Sequence, residues 1–189
     1  MKSNDNQMIN LTKKQIDCAL SRVGVGLKKY LSLQNDLNKI DISTNRDFQK
    51  RFNHFYRVRR NADWQSQFYK LFQNYKDKPV TFSEILGAIQ KNTGRYEASF
   101  ASKLVASIHP DKPVIDKFVL ENVGLKLSYA PSKNREQKIL STYEKLQEKF
   151  ERFLNTDNGK YLVDKFKEEF PEDAVTEVKM VDLVLWQTR

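Results

Sequence analysis

The sequence predicts an all-α fold, a compact domain of many short helices, and three observations carry that expectation. Apolar residues recur at spacings of three and four along most of the chain. Only six glycines and five prolines interrupt its 189 residues. Helix-capping residues stand just ahead of several apolar runs. No polar linker run divides the chain, so residues 1–189 read as a single helical domain. A hydrophobic fraction of 39%, of which aromatics make 12% of the chain, suffices for a shared core although 30% of residues are charged.

The first helix is expected where Leu20, Val23, Leu27, Tyr30, Leu31 and Leu37 share a face, with Gly24 and Gly26 weakening its start. Cys18 falls in the same apolar rhythm and reads as a packed thiol. Phe48, Phe52, Phe55 and Tyr56 form a second stripe, and Trp64, Phe68, Leu71, Phe72 and Tyr75 a third after a cap at Asn61. Both aromatic stripes read as core packing. In TFSE, Thr81 and Glu84 form a capping box ahead of Ile85, Leu86 and Ile89, and Gly94 stops that helix. The next begins near Glu97, carries Phe100, Leu104, Val105 and Ile108, and ends at His109 and Pro110. Joined by the short turn 92–96, these two helices make a hairpin. In DKPVIDKFVLENVGL, Pro113 blocks helix, Asp116 caps a new one and Gly124 ends it. A long charged helix from about Ser132 to Leu154, a shorter one near 159–169 and a last one from Val175 to Trp186 complete the chain. Trp186, reached through MVDLVLW, is expected to dock the last helix into the core.

Several function classes are excluded at this level. The single cysteine rules out an intrachain disulfide and a cysteine-based metal site, which fits a reducing compartment. The start, MKSNDNQMIN, lacks the apolar stretch of a signal peptide, and no run approaches the length of a membrane span, so a cytoplasmic protein is expected. There is no Gly-rich phosphate loop, no GxSxG elbow and no HExxH, and His54 and His109 are too few for a metal triad. No metal or other cofactor is expected.

Thirty-three Lys and Arg against 24 Asp and Glu leave a formal charge of +9, a balance that attracts polyanions. The basic residues concentrate in RFNHFYRVRRN, where Arg51, Arg57, Arg59 and Arg60 occur without an acid among them. This is the expected phosphate patch, its aromatics buried and its arginines on the opposite side or at the helix end. Lys91, Arg95, Lys112 and Lys117 flank the hairpin turn and Asp116, and Lys126, Lys133, Arg135 and Lys138 extend the charge. Glu168, Glu169, Glu172 and Asp173 give the C-terminal part an acidic side.

A hairpin with Gly in its turn, followed by an apolar-Asp-x-x-Val run that opens a helix, resembles the helix-hairpin-helix DNA glycosylase superfamily, here over the region of about 81–124. PVIDKFVLENVGL stands where that family shows a run of the type P-x-V-D-x-x-V-x-R-V-x-x-R-L-G-L. Asp116 matches the family's catalytic aspartate, Val119, Gly124 and Leu125 match its apolar frame, and Gly94 falls at the first Gly of its G-V-G turn. The resemblance implies a hairpin whose backbone amides hold a phosphate of duplex DNA, with Gly94, Arg95 and Lys117 at the contact. It also implies an aspartate that stabilises the cationic sugar as a damaged base leaves. The departures are Tyr96 at the second Gly of the turn and Ala98 at the position of the lyase members' Schiff-base lysine, so hydrolysis without a lyase step is the implied reaction. Lys103 lies more than a helical turn further on and points elsewhere, Glu97 reads as an acid favourable to the helix dipole, and the cysteines of the iron-sulfur members are absent. Two other readings stay open: a non-catalytic nucleic-acid-binding module on a degenerate glycosylase-like fold, and a helical protein with an acidic protein partner.

Overall fold

The computed structural model describes residues 8–127 and 134–188. Among the described residues the regular structure is entirely helical, as the periodicity predicts: α1 (Lys13–Leu37), α2 (Arg46–Tyr56), α3 (Ala62–Tyr75), α4 (Phe82–Thr93), α5 (Ala98–Ile108), α6 (Lys117–Asn122), α7 (Arg135–Leu154), α8 (Asp157–Glu169) and α9 (Glu177–Gln187). Ser132, the expected start of the long charged helix, and Lys133 lie outside the described residues, as does the whole of the MKSNDNQ start. The chain divides into two compact units, one of Met1–Gly24 with His109–Arg189 and the other of Val25–Ile108, the division falling within α1.

In the Val25–Ile108 unit, α4 packs on both α3 and α5. Its core is aromatic because α2 and α3 present their stripes to each other: the Phe52 ring lies 5.5 Å from Phe72 and 6.1 Å from Phe68, and 5.9 Å from Phe48 on its own helix. Each such ring, taken out of water, contributes about 1.5–3 kcal/mol. Two polar side chains inside find partners. The Tyr69 hydroxyl, whose pKa burial pushes far up, donates to Asn53 Oδ1 at 2.6 Å. Buried Gln49 donates to the Ile42 and Ser43 carbonyls at 2.8 and 3.0 Å. Caps fall where the sequence places them, with Asn61 Oδ1 accepting from the Trp64 amide at 3.0 Å and Thr81 and Glu84 forming the reciprocal box.

In the other unit, α9 packs on α6, α7 and α8, and α7 packs on α8. Phe150, Phe153, Leu162, Phe166, Val181, Val184 and Leu185 are buried there. Trp186 is half-buried, so the last helix inserts chiefly its apolar run before the tryptophan. The turn into α8 is tight: Thr156 Oγ1 accepts from the Gly159 amide at 3.1 Å, and a Cβ on Gly159 would press into the backbone of Phe153 and Leu154.

Two local expectations need correction. Helix α1 begins at Lys13 and runs through Gly24 and Gly26 without a break. Two interior glycines cost about 2 kcal/mol together, and the burial of Ile16, Leu20, Val23 and Leu27 outweighs that. Cys18 does not face the core. It is exposed, its Sγ accepting from Arg22 Nη2 at 2.9 Å, because the buried stripe of Ile16, Ala19, Leu20 and Val23 leaves position 18 on the solvent side.

Candidate nucleic-acid interface

The hairpin turn is built by a backbone that only glycine adopts readily. Gly94 closes α4 with φ 73° and ψ 6°, its amide donating to the Gln90 carbonyl at 2.8 Å. A Cβ there would meet nothing within 4 Å, so the demand for glycine comes from the positive φ and not from crowding. Thr93 supports the turn by donating from Oγ1 to the Ile89 carbonyl at 2.8 Å. Arg95, the next residue, is exposed.

A second left-handed residue shapes the basic segment. Arg57 is the C-cap of α2 with φ 54° and ψ 45°, a conformation of limited occupancy for a residue with a Cβ. It reverses the chain after Tyr56 so that Val58 turns inward while Arg57 and Arg59 stay exposed. Phe52, Phe55 and Tyr56 are buried, as the helical spacing predicts, while Arg57 and Arg59 are exposed and Arg51 and Arg60 are partly covered.

These two stretches meet. Arg59, Arg60 and Trp64 from one side and Asn92, Arg95 and Glu97 from the other line a single recess of about 470 Å³. Arg60 and Glu97 form its fixed wall: Nη2 lies 2.6 and 2.7 Å from the two carboxylate oxygens, with the guanidinium 5.7 and 5.4 Å from the Trp64 and Phe100 ring centres. Packed against two rings and paired with a carboxylate, Arg60 contributes shape more than net charge. Arg59 and Arg95 are different, because among the described residues neither is ion-paired; with Asp63 also on the lining, three arginines face two carboxylates and the recess keeps a small positive excess. Arg51 does not share it, being bound by Asp36 at 2.6 Å and Asp47 at 2.7 Å.

Asp116 and Lys117 belong to the other unit. Asp116 is half-exposed and caps α6, Oδ1 accepting from the Phe118 amide at 2.9 Å, and no other hydrogen bond reaches its carboxylate among the described residues. The segment before it is fastened by neighbouring helices. The Thr176 hydroxyl donates to the Pro110 carbonyl and the Tyr143 hydroxyl to that of Pro113 at 3.2 Å, while Val114 and Ile115 are buried. Lys117 is exposed, 3.8 Å from Glu121 on the next turn.

Behind Asp116 lies a charge pair that periodicity concealed. Lys179 and Asp182 on α9 are buried, with side-chain exposures of 1% and 8%, and are 2.7 Å apart. Burial raises the Asp182 pKa, the ammonium of Lys179 pulls it back and the charge of Asp116 raises it again. The Val114 amide favours the ionised form, and Oδ1 has no hydrogen-bond partner among the described residues. The only sequence signal was a lysine and an aspartate three apart inside an otherwise apolar run.

Glu97, read from the sequence as a residue favourable to the helix dipole, is the partner of Arg60. Lys103, set aside on helical phase, is 5% exposed, its ammonium 3.0 Å from Ser99 Oγ and 5.2 Å from the Phe100 ring centre. Among the described residues no group of histidine, cysteine, aspartate and glutamate could hold a metal ion, and no helix is long and apolar enough to cross a membrane. No known family model, curated protein or solved structure matches this chain.

Proposed function

We propose that the protein binds duplex DNA through the recess at the hairpin turn, and that it acts as a divergent helix-hairpin-helix glycosylase in which Asp116 assists hydrolysis of an N-glycosidic bond. One observation carries the binding half: Arg59 and Arg95, 36 residues apart and neither ion-paired among the described residues, converge on one recess beside a left-handed glycine turn, where arginines outnumber the carboxylates Asp63 and Glu97. Phosphates are held by such convergence, and each neutralised phosphate steepens the salt dependence of affinity by about 0.9.

The catalytic half rests on the resemblance around Asp116 and on a carboxylate with an oxygen to spare. In the reaction, the bond from the sugar to the base breaks with its electron pair going to the base nitrogen. The carboxylate stabilises the cationic sugar, and water adds to that carbon while its proton leaves to the carboxylate or to solvent. Oδ1 holds the start of α6, which orients the group, and the second oxygen supplies the charge. A non-catalytic module is the second reading. Its support is that Asp116 already has a structural task as a cap, and that Tyr96 and Ala98 stand where the family carries Gly and Lys.

Asp116→Asn separates the readings, because asparagine caps a helix about as well as aspartate and removes only the charge. Base release from a panel of damaged duplexes is expected to fall at least 100-fold in this variant with duplex affinity unchanged. Unaltered release, or no release by the wild type, removes the enzyme reading. For binding, Arg59→Gln/Arg95→Gln is expected to lower the slope of log affinity against log salt by about 2. A wild-type affinity for duplex that does not respond to salt would instead favour the acidic protein partner.

A further inference from the structure

We propose that the groove between α1 and α2 is a second phosphate-binding site, built from different residues than the hairpin recess, and that it seats a phosphodiester of the bound nucleic acid. The choice of nucleic acid as the source of the phosphate rests on the functional reading above; the site itself rests on the groove.

Lys28, Lys29 and Ser32 of α1 face Lys50, Arg51 and His54 of α2 around a groove of about 590 Å³, and no carboxylate lines it. Two acids stand nearby, and Arg51 takes both. Its Nε is 2.7 Å from Asp47, its Nη2 is 2.6 Å from Asp36 and its Nη1 donates to Ser32 Oγ at 2.9 Å. This guanidinium is thus a brace between the two helices. Among the described residues Lys28, Lys29 and Lys50 have no carboxylate partner. Three ammonium groups around one concavity repel one another and favour an anion that answers all three.

The donor set selects the kind of anion. A carboxylate is best matched by the planar fork of an arginine, and the fork present here is already engaged. What remains are point donors approaching from two helices, suited to the tetrahedrally arranged oxygens of a phosphate. Lys29 Nζ lies 3.2 Å from His54 Nε2, so the imidazole in its neutral form accepts from the ammonium. When an anion enters, the ammonium of Lys29 turns to it and the His54 ring stays beside the same oxygen cluster. Lys50, His54 and Arg57 follow one another at spacings of four and three, placing them along one face of α2 up to its left-handed C-cap, two residues before Arg59 of the recess.

The test uses the full chain and two probes, a short undamaged duplex and inorganic phosphate, with the His54 ring and lysine side-chain resonances followed by NMR. Both probes are expected to shift His54 and Lys29. Lys28→Gln/Lys50→Gln, two exposed substitutions, is expected to abolish those shifts and lower the salt slope of duplex affinity by about 1. Arg59→Gln/Arg95→Gln is expected to leave the phosphate-induced shift of His54 intact. A duplex that binds without moving His54, together with a wild-type slope in Lys28→Gln/Lys50→Gln, overturns the groove and spares the recess. If the wild type binds no duplex yet phosphate moves His54, the nucleic-acid reading is overturned while the groove stands as a site for a free phosphate group.

Discussion

Replacing Asp182 by Ala strips the carboxylate from Lys179, whose side chain is 1% exposed and 2.7 Å from it. At that separation and an effective dielectric constant of about 20 the attraction is about 6 kcal/mol, most of it offset by the cost of drying two charges. The single substitution loses the attraction and keeps the cost for the ammonium, so unfolding free energy is expected to drop by about 3–5 kcal/mol. Lys179→Met alone is expected to fall in the same range. Lys179→Met/Asp182→Leu removes both costs together and is expected to lie near wild type or above it by about 1–4 kcal/mol. Urea unfolding measures the wild type and the three variants. With a slope of about 2 kcal/mol per molar, the single variants move the midpoint down by about 1.5–2.5 M. The pH dependence has a definite sign. Because burial raises the Asp182 pKa in the folded state, that state holds the proton more tightly than the unfolded chain. Relative to Asp182→Asn, the wild type therefore gains stability as pH falls from the folded-state pKa towards about 4. Single variants within about 1 kcal/mol of wild type, or a double variant as unstable as the worse single, would refute the reasoning, because water would then have to reach the pair.

Three further perturbations address the turns and caps. Gly159→Ala drives a methyl group into the Phe153 and Leu154 backbone and is expected to cost about 3 kcal/mol, read as a drop in thermal midpoint. Gly94→Ala meets no atoms within 4 Å but must hold φ near 73°, so a cost of about 1–2 kcal/mol is expected, with Gly94→Asn losing less; equal costs for the two would mean that the turn rearranges. Glu84 has its pKa lowered by the Thr81 amide and then by the Thr81 hydroxyl, so its stabilising contribution is present above the unfolded value of about 4.3 and is lost as pH falls through the folded one. Glu84→Gln is expected to flatten that acid limb of stability, measured as the urea midpoint between pH 5 and 2.5.

Features legible in the sequence were those whose cause lies within one or two helical turns. Asn61, Thr81 and Asp116 each cap a helix by accepting from an amide two or three residues ahead, so a short window holds the whole interaction. The aromatic stripe of α2 was legible because helical spacing alone puts Phe48, Phe52 and Phe55 together on one face, away from the exposed Lys50 and His54. The charged residues were legible only as positions. Arg51, Arg59 and Arg60 look alike in RFNHFYRVRRN, yet one braces α2 to α1, one has no ion pair among the described residues and one is locked to Glu97, 37 residues away. Lys179 was hidden for the same reason, since a lysine three residues before an aspartate usually belongs to a solvated face.

By itself, then, the sequence determined the helices, most of their ends and the glycine-bearing turn, because hydrogen bonds and side-chain contacts three and four residues apart are set locally. Tertiary structure alone decided which cations are paired between helices or buried. Ion pairing depends on separation in space and on access to water, and both are fixed only when α2 meets α1, when Arg60 reaches Glu97, and when α9 carries Lys179 and Asp182 into the interior.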